Sequence, residues 1–106
     1  MARVLINAPQ TVRRGQVFEV RALIQHQMET GYRLGPSGEV LPRDIIRGFV
    51  CAYNGEEVFA AELFPAIAAN PFLSFTAVAA ESGTLSFTWT GDNGFSQTEV
   101  RPISVE

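Results

Sequence analysis

Few side chains in this sequence have reactive chemistry. There is one histidine, His26, and one cysteine, Cys51. Joined by Glu29 and Asp44, they would make a nucleophile–base pair in which an imidazole withdraws a proton from a thiol. Their spacing does not favour this, since His26 closes a strand, Glu29 lies in a loop and Cys51 sits mid-strand. There is no Gly-x-Ser-x-Gly elbow, no glycine-rich phosphate loop and no metal-ligand spacing. One cysteine and one histidine cannot build a zinc site, and a lone cysteine forms no intrachain disulfide. The expectation is therefore no catalytic residue, no cofactor-binding residue and no metal ligand. In Phe49-Val50-Cys51-Ala52-Tyr53 the thiol reads as a small buried hydrophobe. Reactive thiols need an exposed, electropositive setting.

The elements that position these residues are strands. Short alternating segments separated by turn residues run through the chain, the pattern of a sandwich or barrel. Arg3–Ala8 is the first, closed by Pro9. A turn through Arg13-Arg14-Gly15 leads to 17–26, where Phe18, Val20, Ala22 and Ile24 share one face. Residues 27–42 are the longest stretch without strand pattern, and loops of that length are commonly functional or mobile. A strand over 45–53 is followed by Asn54-Gly55, which supplies the two positive φ values of a type I′ hairpin turn. The return strand covers 56–63. A proline near each end of 64–71 permits a single helical turn there and no long helix. Residues 72–80 form a strand. Leu85, Phe87 and Trp89 alternate with Ser86, Thr88 and Thr90 in the next. Asp92-Asn93-Gly94 turns the chain into a last strand, 95–105, expected to bulge at Pro102. The whole predicts an all-β, immunoglobulin-like antiparallel β-sandwich of about seven strands, one domain over 1–106.

The strand over 45–53 departs from simple alternation. Phe49, Cys51 and Tyr53 line one face and Gly48, Val50 and Ala52 the other. The aromatic volumes belong in the core, which leaves a small, flat, apolar outer face where a solvated strand would carry Thr, Lys or Glu. Either the 27–42 loop covers that face or a second protein does. The second is the working expectation, with Gly48, Val50 and Ala52 as partner-binding residues.

Composition narrows the partners. An apolar fraction of 46% and a charged fraction of 18% fit a globular domain. A net charge of −3 lacks the footprint of a nucleic-acid binder. All eight basic residues are arginine and they are scattered. No apolar run approaches a membrane span. The opening Met-Ala-Arg-Val-Leu-Ile reads as strand and not as an export signal.

Two groups of residues carry a resemblance. The first is His26-Gln27-Met28-Glu29-Thr30-Gly31 followed by Leu41-Pro42-Arg43-Asp44-Ile45-Ile46. The second is Tyr53-Asn54-Gly55-Glu56-Glu57-Val58-Phe59, Pro65-Ala66-Ile67-Ala68-Ala69-Asn70-Pro71 and Trp89-Thr90-Gly91-Asp92. Together, through nearly the whole chain, they are similar to the Z subunit of the thiosulfate-oxidising Sox carrier complex. The resemblance implies a non-catalytic subunit that pairs with a Y subunit as a heterodimer. In that family the Y subunit holds sulfur intermediates on a cysteine in a flexible, glycine-rich tail. The pair makes transient contact with the enzymes of the pathway in the periplasm, and the Z subunit is exported together with the Y subunit. The present chain ends Val100-Arg101-Pro102-Ile103-Ser104-Val105-Glu106, with no cysteine arm. The resemblance also marks the loop of His26, Met28, Glu29 and Thr30 for enzyme docking or for seating the Y subunit's tail, against the plainer reading that Thr30 and Gly31 are ordinary turn residues. A Z-type subunit alone is expected to form homodimers through its uncovered face. The competing reading is a generic immunoglobulin-like module that binds protein or ligand.

Overall fold

The computed structural model describes residues 2–65 and 67–106. Its strands are β1 (Val4–Asn7), β2 (Thr11–Val12), β3 (Val17–Ile24), β4 (Ile46–Tyr53), β5 (Glu56–Glu62), β6 (Phe72–Val78), β7 (Gly83–Gly91) and β8 (Ser96–Val105). They form a three-stranded sheet, ordered β1-β3-β6, and a five-stranded sheet, ordered β2-β8-β7-β4-β5. All pairings are antiparallel except β2 with β8. The expected β-sandwich is what the chain folds into.

Local sequence explains most of this. In β3 every second residue from Phe18 to Ile24 is buried, and in β7 Leu85, Phe87 and Trp89 are. A pleated strand puts such residues on one face, which then closes against the other sheet. Asn54 and Gly55 adopt φ of 50° and 83°, the hairpin turn their types require, and Tyr53 pairs with Glu56 across it. The two sheets meet through aromatic rings. Phe59 of β5 stacks on Phe75 of β6 at 4.3 Å, and Phe49 of β4 lies 5.9 Å from Phe75. Phe49 also packs 5.1 Å from Trp89.

Four details differ from the sequence expectation. Thr11–Val12 is a strand, because Val12 is buried and its two residues extend the sheet beside Ser104 and Val105. Pro102 causes no bulge, as β7 and β8 keep one register from Gly83↔Ile103 to Thr90↔Ser96. The Ser104 N–H points towards Gln10. The nitrogen of Pro102, two residues earlier, faces the same way, before β2 begins, where no ladder donor is needed. Residues 92–94 form a short 3-10 turn, so β8 starts at Ser96.

The fourth difference is the 27–42 stretch, which folds back on itself as a narrow ribbon. Glu29 and Asp44 exchange two backbone hydrogen bonds of 2.9 and 2.8 Å. Further out Leu41 N–H reaches Arg33 O, and Leu34 bridges Val40. The helical turn expected over 64–71 includes Ala66, which lies outside the described residues. Around it, Ile67 N–H donates to Phe64 O, a single-turn bond.

Candidate functional site

The outer face of the five-stranded sheet is small-sided at its centre, along β4 and β7. Gly48 lies between Glu62 of β5 and Thr90 of β7, Val50 between Ala60 and Thr88, and Ala52 between Glu57 and Ser86. β8 continues the rows with Thr98 opposite Thr88 and Val100 opposite Ser86. The Thr88 and Thr98 hydroxyls bond to each other at 3.0 Å, so they satisfy each other. A register shift between Ile46 and Gly48 leaves two residues, Arg47 and Gly48, on the outer side between buried Ile46 and Phe49. A side chain on Gly48 would bring its Cβ to 3.0 Å from Thr90 Oγ1, so Thr90 would have to shift to admit one.

Val50 is 37% exposed and Val100 56%. Along Gly48, Val50, Ala60 and Thr88 runs a shallow apolar hollow of about 440 Å³, and no residue of 27–42 lines it. Cover by the chain's own loop is therefore ruled out as the reason for this face. A second hollow of about 510 Å³ adjoins it through Gly48, Glu62 and Thr90 and holds Arg43 and Arg47. Arg43 is paired there, since Asp92 takes two 2.8 Å bonds from it, and Glu62 also lines the hollow.

The loop residues serve the ribbon's own structure. Met28 is 4% exposed, and its sulfur accepts the Ile46 N–H at 3.2 Å. It reaches a partner only through the shape it gives the loop. Its φ of 54° is left-handed, uncommon for a residue with a side chain. His26 Nδ1 accepts the Met28 N–H at 3.0 Å, and Nε2 lies 4.0 Å from Asp44 Oδ1. Glu29 is paired with Arg33 at 2.6 Å, and that hydrogen-bonded guanidinium holds its carboxyl below the usual range. Thr30 Oγ1 accepts the Tyr32 N–H, an ordinary turn contact.

The nucleophile–base arrangement does not assemble. His26 and Asp44 come together, but neither bonds to Cys51. That thiol is wholly buried between the sheets, and burial pushes it up to about 11. Among the described residues no three His, Cys, Asp or Glu side chains gather as metal ligands. The sequence reading passed over the ribbon's tip, where Tyr32 is 84% exposed and Leu34 and Val40 also face solvent. Their signal was Tyr32-x-Leu34 alternation, hidden in a stretch whose glycines and charges read as polar loop.

Comparison with solved structures gives fold likeness throughout. A superoxide reductase (neelaredoxin) from Ignicoccus hospitalis matches with TM-score 0.74 and 19% identity, over 99% of this chain and 82% of that one. The sulfur carrier protein SoxY from Chlorobium limicola f. thiosulfatophilum matches with TM-score 0.67 and 15% identity, over 97% and 78%. A CARDB domain from Pyrococcus furiosus, solved with di-metal ions, matches with TM-score 0.57 and 17% identity, over 100% and 88%. At these identities the shared property is the sandwich. No curated protein matches in sequence. The family comparison is specific where these are general: residues 6–101 match the sulphur oxidation protein SoxZ. That span takes in every strand from β2 to β7, half of β1 and most of β8, and the chain belongs to the SoxZ family of sulphur oxidation proteins.

Proposed function

We propose that this chain is the non-catalytic half of a heterodimeric sulfur carrier, pairing with a Y-type subunit whose cysteine bears the sulfur cargo. The observation that carries the reading is the position of Cys51. It is the only cysteine in the sequence and it is fully buried. A thiol in that setting cannot be passed from one enzyme to another, so a sulphur oxidation protein of this family needs a second chain to hold the cargo. The open face of Gly48, Val50 and Ala52 is the surface we assign to that chain. Its small side chains allow a flat partner sheet to approach closely over an apolar surface.

The loop of His26, Met28, Glu29 and Thr30, with the exposed ribbon tip beyond it, is proposed to meet the pathway enzymes in passing. The working compartment in this reading is the periplasm, reached together with the Y subunit. In isolation the same open face would pair two copies of the chain.

Co-expression of the tagged chain with its genomic neighbours, followed by mass spectrometry of what co-purifies, tests the pairing. The expected result is a one-to-one partner with a cysteine in a glycine-rich C-terminus. Val50→Arg and Ala52→Arg should each abolish its recovery while leaving the chain folded, because both positions face outward. Recovery of the chain without any such partner would overturn the carrier reading and favour a generic binding module. A retained partner in both variants would move the interface elsewhere.

A further inference from the structure

We propose that His26 is a proton-sensitive latch for the ribbon of residues 28–44: the neutral ring holds the ribbon's root, and protonation releases it. A backbone N–H can only donate. The 3.0 Å bond from Met28 N–H to His26 Nδ1 therefore requires a bare lone pair on Nδ1, with the ring proton on Nε2. The imidazolium carries a proton on both nitrogens. Protonation thus sets two donors against each other and leaves the buried Met28 N–H without its acceptor.

Met28 is the residue at which such a loss spreads. Its backbone sits at φ 54°, a conformation that persists only where the surroundings fix it. The surroundings are few: the ring above its N–H, burial of its side chain, and the Ile46 N–H on its sulfur. The next residue, Glu29, makes the paired backbone bonds with Asp44 that close the ribbon's root. Loosening Met28 shifts the first rung of that ladder.

The other groups around the ring give the protonated form somewhere to go. Asp44 faces Nε2 at 4.0 Å, the one charged side chain within ion-pair reach of the ring among the described residues. Phe95, just before β8, meets the ring edge-on at 5.5 Å, and Asn70, just before β6, accepts the His26 backbone N–H. Neither of these is charged. A positive ring is drawn towards Asp44 and away from Met28, so its two nitrogens serve two alternative arrangements. Imidazoles as a class change charge between about pH 5 and 8, which puts such a change within reach of ordinary surroundings. The latch concerns the ribbon itself and stands whether or not the ribbon docks to enzymes.

Two-dimensional ¹⁵N NMR of the whole chain, titrated from about pH 8 to pH 5, reads both ends of the latch. At the upper pH the His26 nitrogens should report a protonated Nε2 and an unprotonated Nδ1. As the ring titrates, hydrogen-exchange protection of the Glu29 and Asp44 amides, corrected for intrinsic rates, should fall about tenfold, the scale of one lost hydrogen bond. β3 and β7 amides serve as the control and should stay protected. His26→Asn keeps an acceptor oxygen near the Nδ1 position and cannot titrate, so its ribbon should stay protected throughout. The proposal is overturned by a proton on Nδ1 in the neutral ring, by a ring that stays neutral down to pH 5, or by ring titration without loss of Glu29 and Asp44 protection. Equal loss of protection in His26→Asn would overturn it as well.

Discussion

Cys51 shows how an environment decides what a residue type can do. Its strand neighbours across the sheet are Phe59 and Phe87, and its side chain reaches no solvent. A thiolate there would lose its hydration with no cation to offset the loss, so the proton is held up to about 11 from an ordinary 9.0. The sign of the linkage follows. The unfolded chain releases this proton first, so Cys51 favours the folded state fully below the unfolded value and lowers stability as pH climbs from about 9 towards 11. Reactivity follows the same physics. At about pH 8, iodoacetamide should modify folded Cys51 roughly a thousandfold more slowly than the urea-unfolded chain, since labelling must wait for opening. Mass spectrometry of a labelling time course measures this. Equal rates would mean that the thiol is accessible in the native fold and would restore this chain as a possible sulfur carrier.

At the scale of elements, the ribbon's root has a second tie beside the His26 contacts. Arg43 donates two bonds to Asp92, in the turn between β7 and β8, and Asp92 also accepts the Ile45 N–H at 3.2 Å. The Arg43 guanidinium, with the Ile45 N–H adding to it, holds the Asp92 carboxyl below its ordinary 3.8. A depressed carboxyl value contributes stability above the unfolded value, and that contribution is lost as pH falls through the folded one. Asp92→Asn should therefore be less stable than the parent at neutral pH, with the difference narrowing as pH drops below about 4. Urea midpoints on both sides of that range measure it. A gap independent of pH would mean that the pair adds nothing beyond packing.

This connection was not legible in the sequence. Arg43 and Asp92 are far apart along the chain, and no local pattern pairs them. What could be read was local: the alternation that makes β3 and β7, the Asn54-Gly55 turn, and the two apolar faces of β4. What could not was set by distant partners. Thr11–Val12 becomes a strand only because β8 passes beside it. Pro102 lies flat because β2 begins too late to need a donor at that position, which proline could not supply. The left-handed Met28 is fixed by His26 and Ile46, so its side chain belongs to the fold although its motif suggested a docking residue. The face of Gly48, Val50 and Ala52 was legible because period-two geometry leaves those residues only one direction to point.

For the molecule as a whole, the proposed pairing gives β4 two tasks on opposite faces, and two neighbouring residues separate them. Phe49 points inward, where it touches Phe59, Phe75, Phe87 and Trp89 and so links both sheets. Truncating a buried phenylalanine removes its transfer free energy and leaves a cavity, at a cost of about 3–5 kcal/mol. For a domain whose total stability is about 5–15 kcal/mol, that is a large fraction. Phe49→Ala should lower the urea midpoint by about 2 M, given slopes of roughly 1–3 kcal/mol/M for small domains. Val50→Arg, one residue on, should stay within about 0.5 kcal/mol of the parent, because its side chain already meets water. The pairing assay should invert this order. The Phe49 variant keeps its outer surface and should still recover the partner when folded in the cold, whereas the Val50 variant, though stable, should not. If both variants lose stability and the partner together, the fold and the interface are not separable across β4. The open face would then be part of an obligate assembly, not a docking surface on a free-standing sandwich.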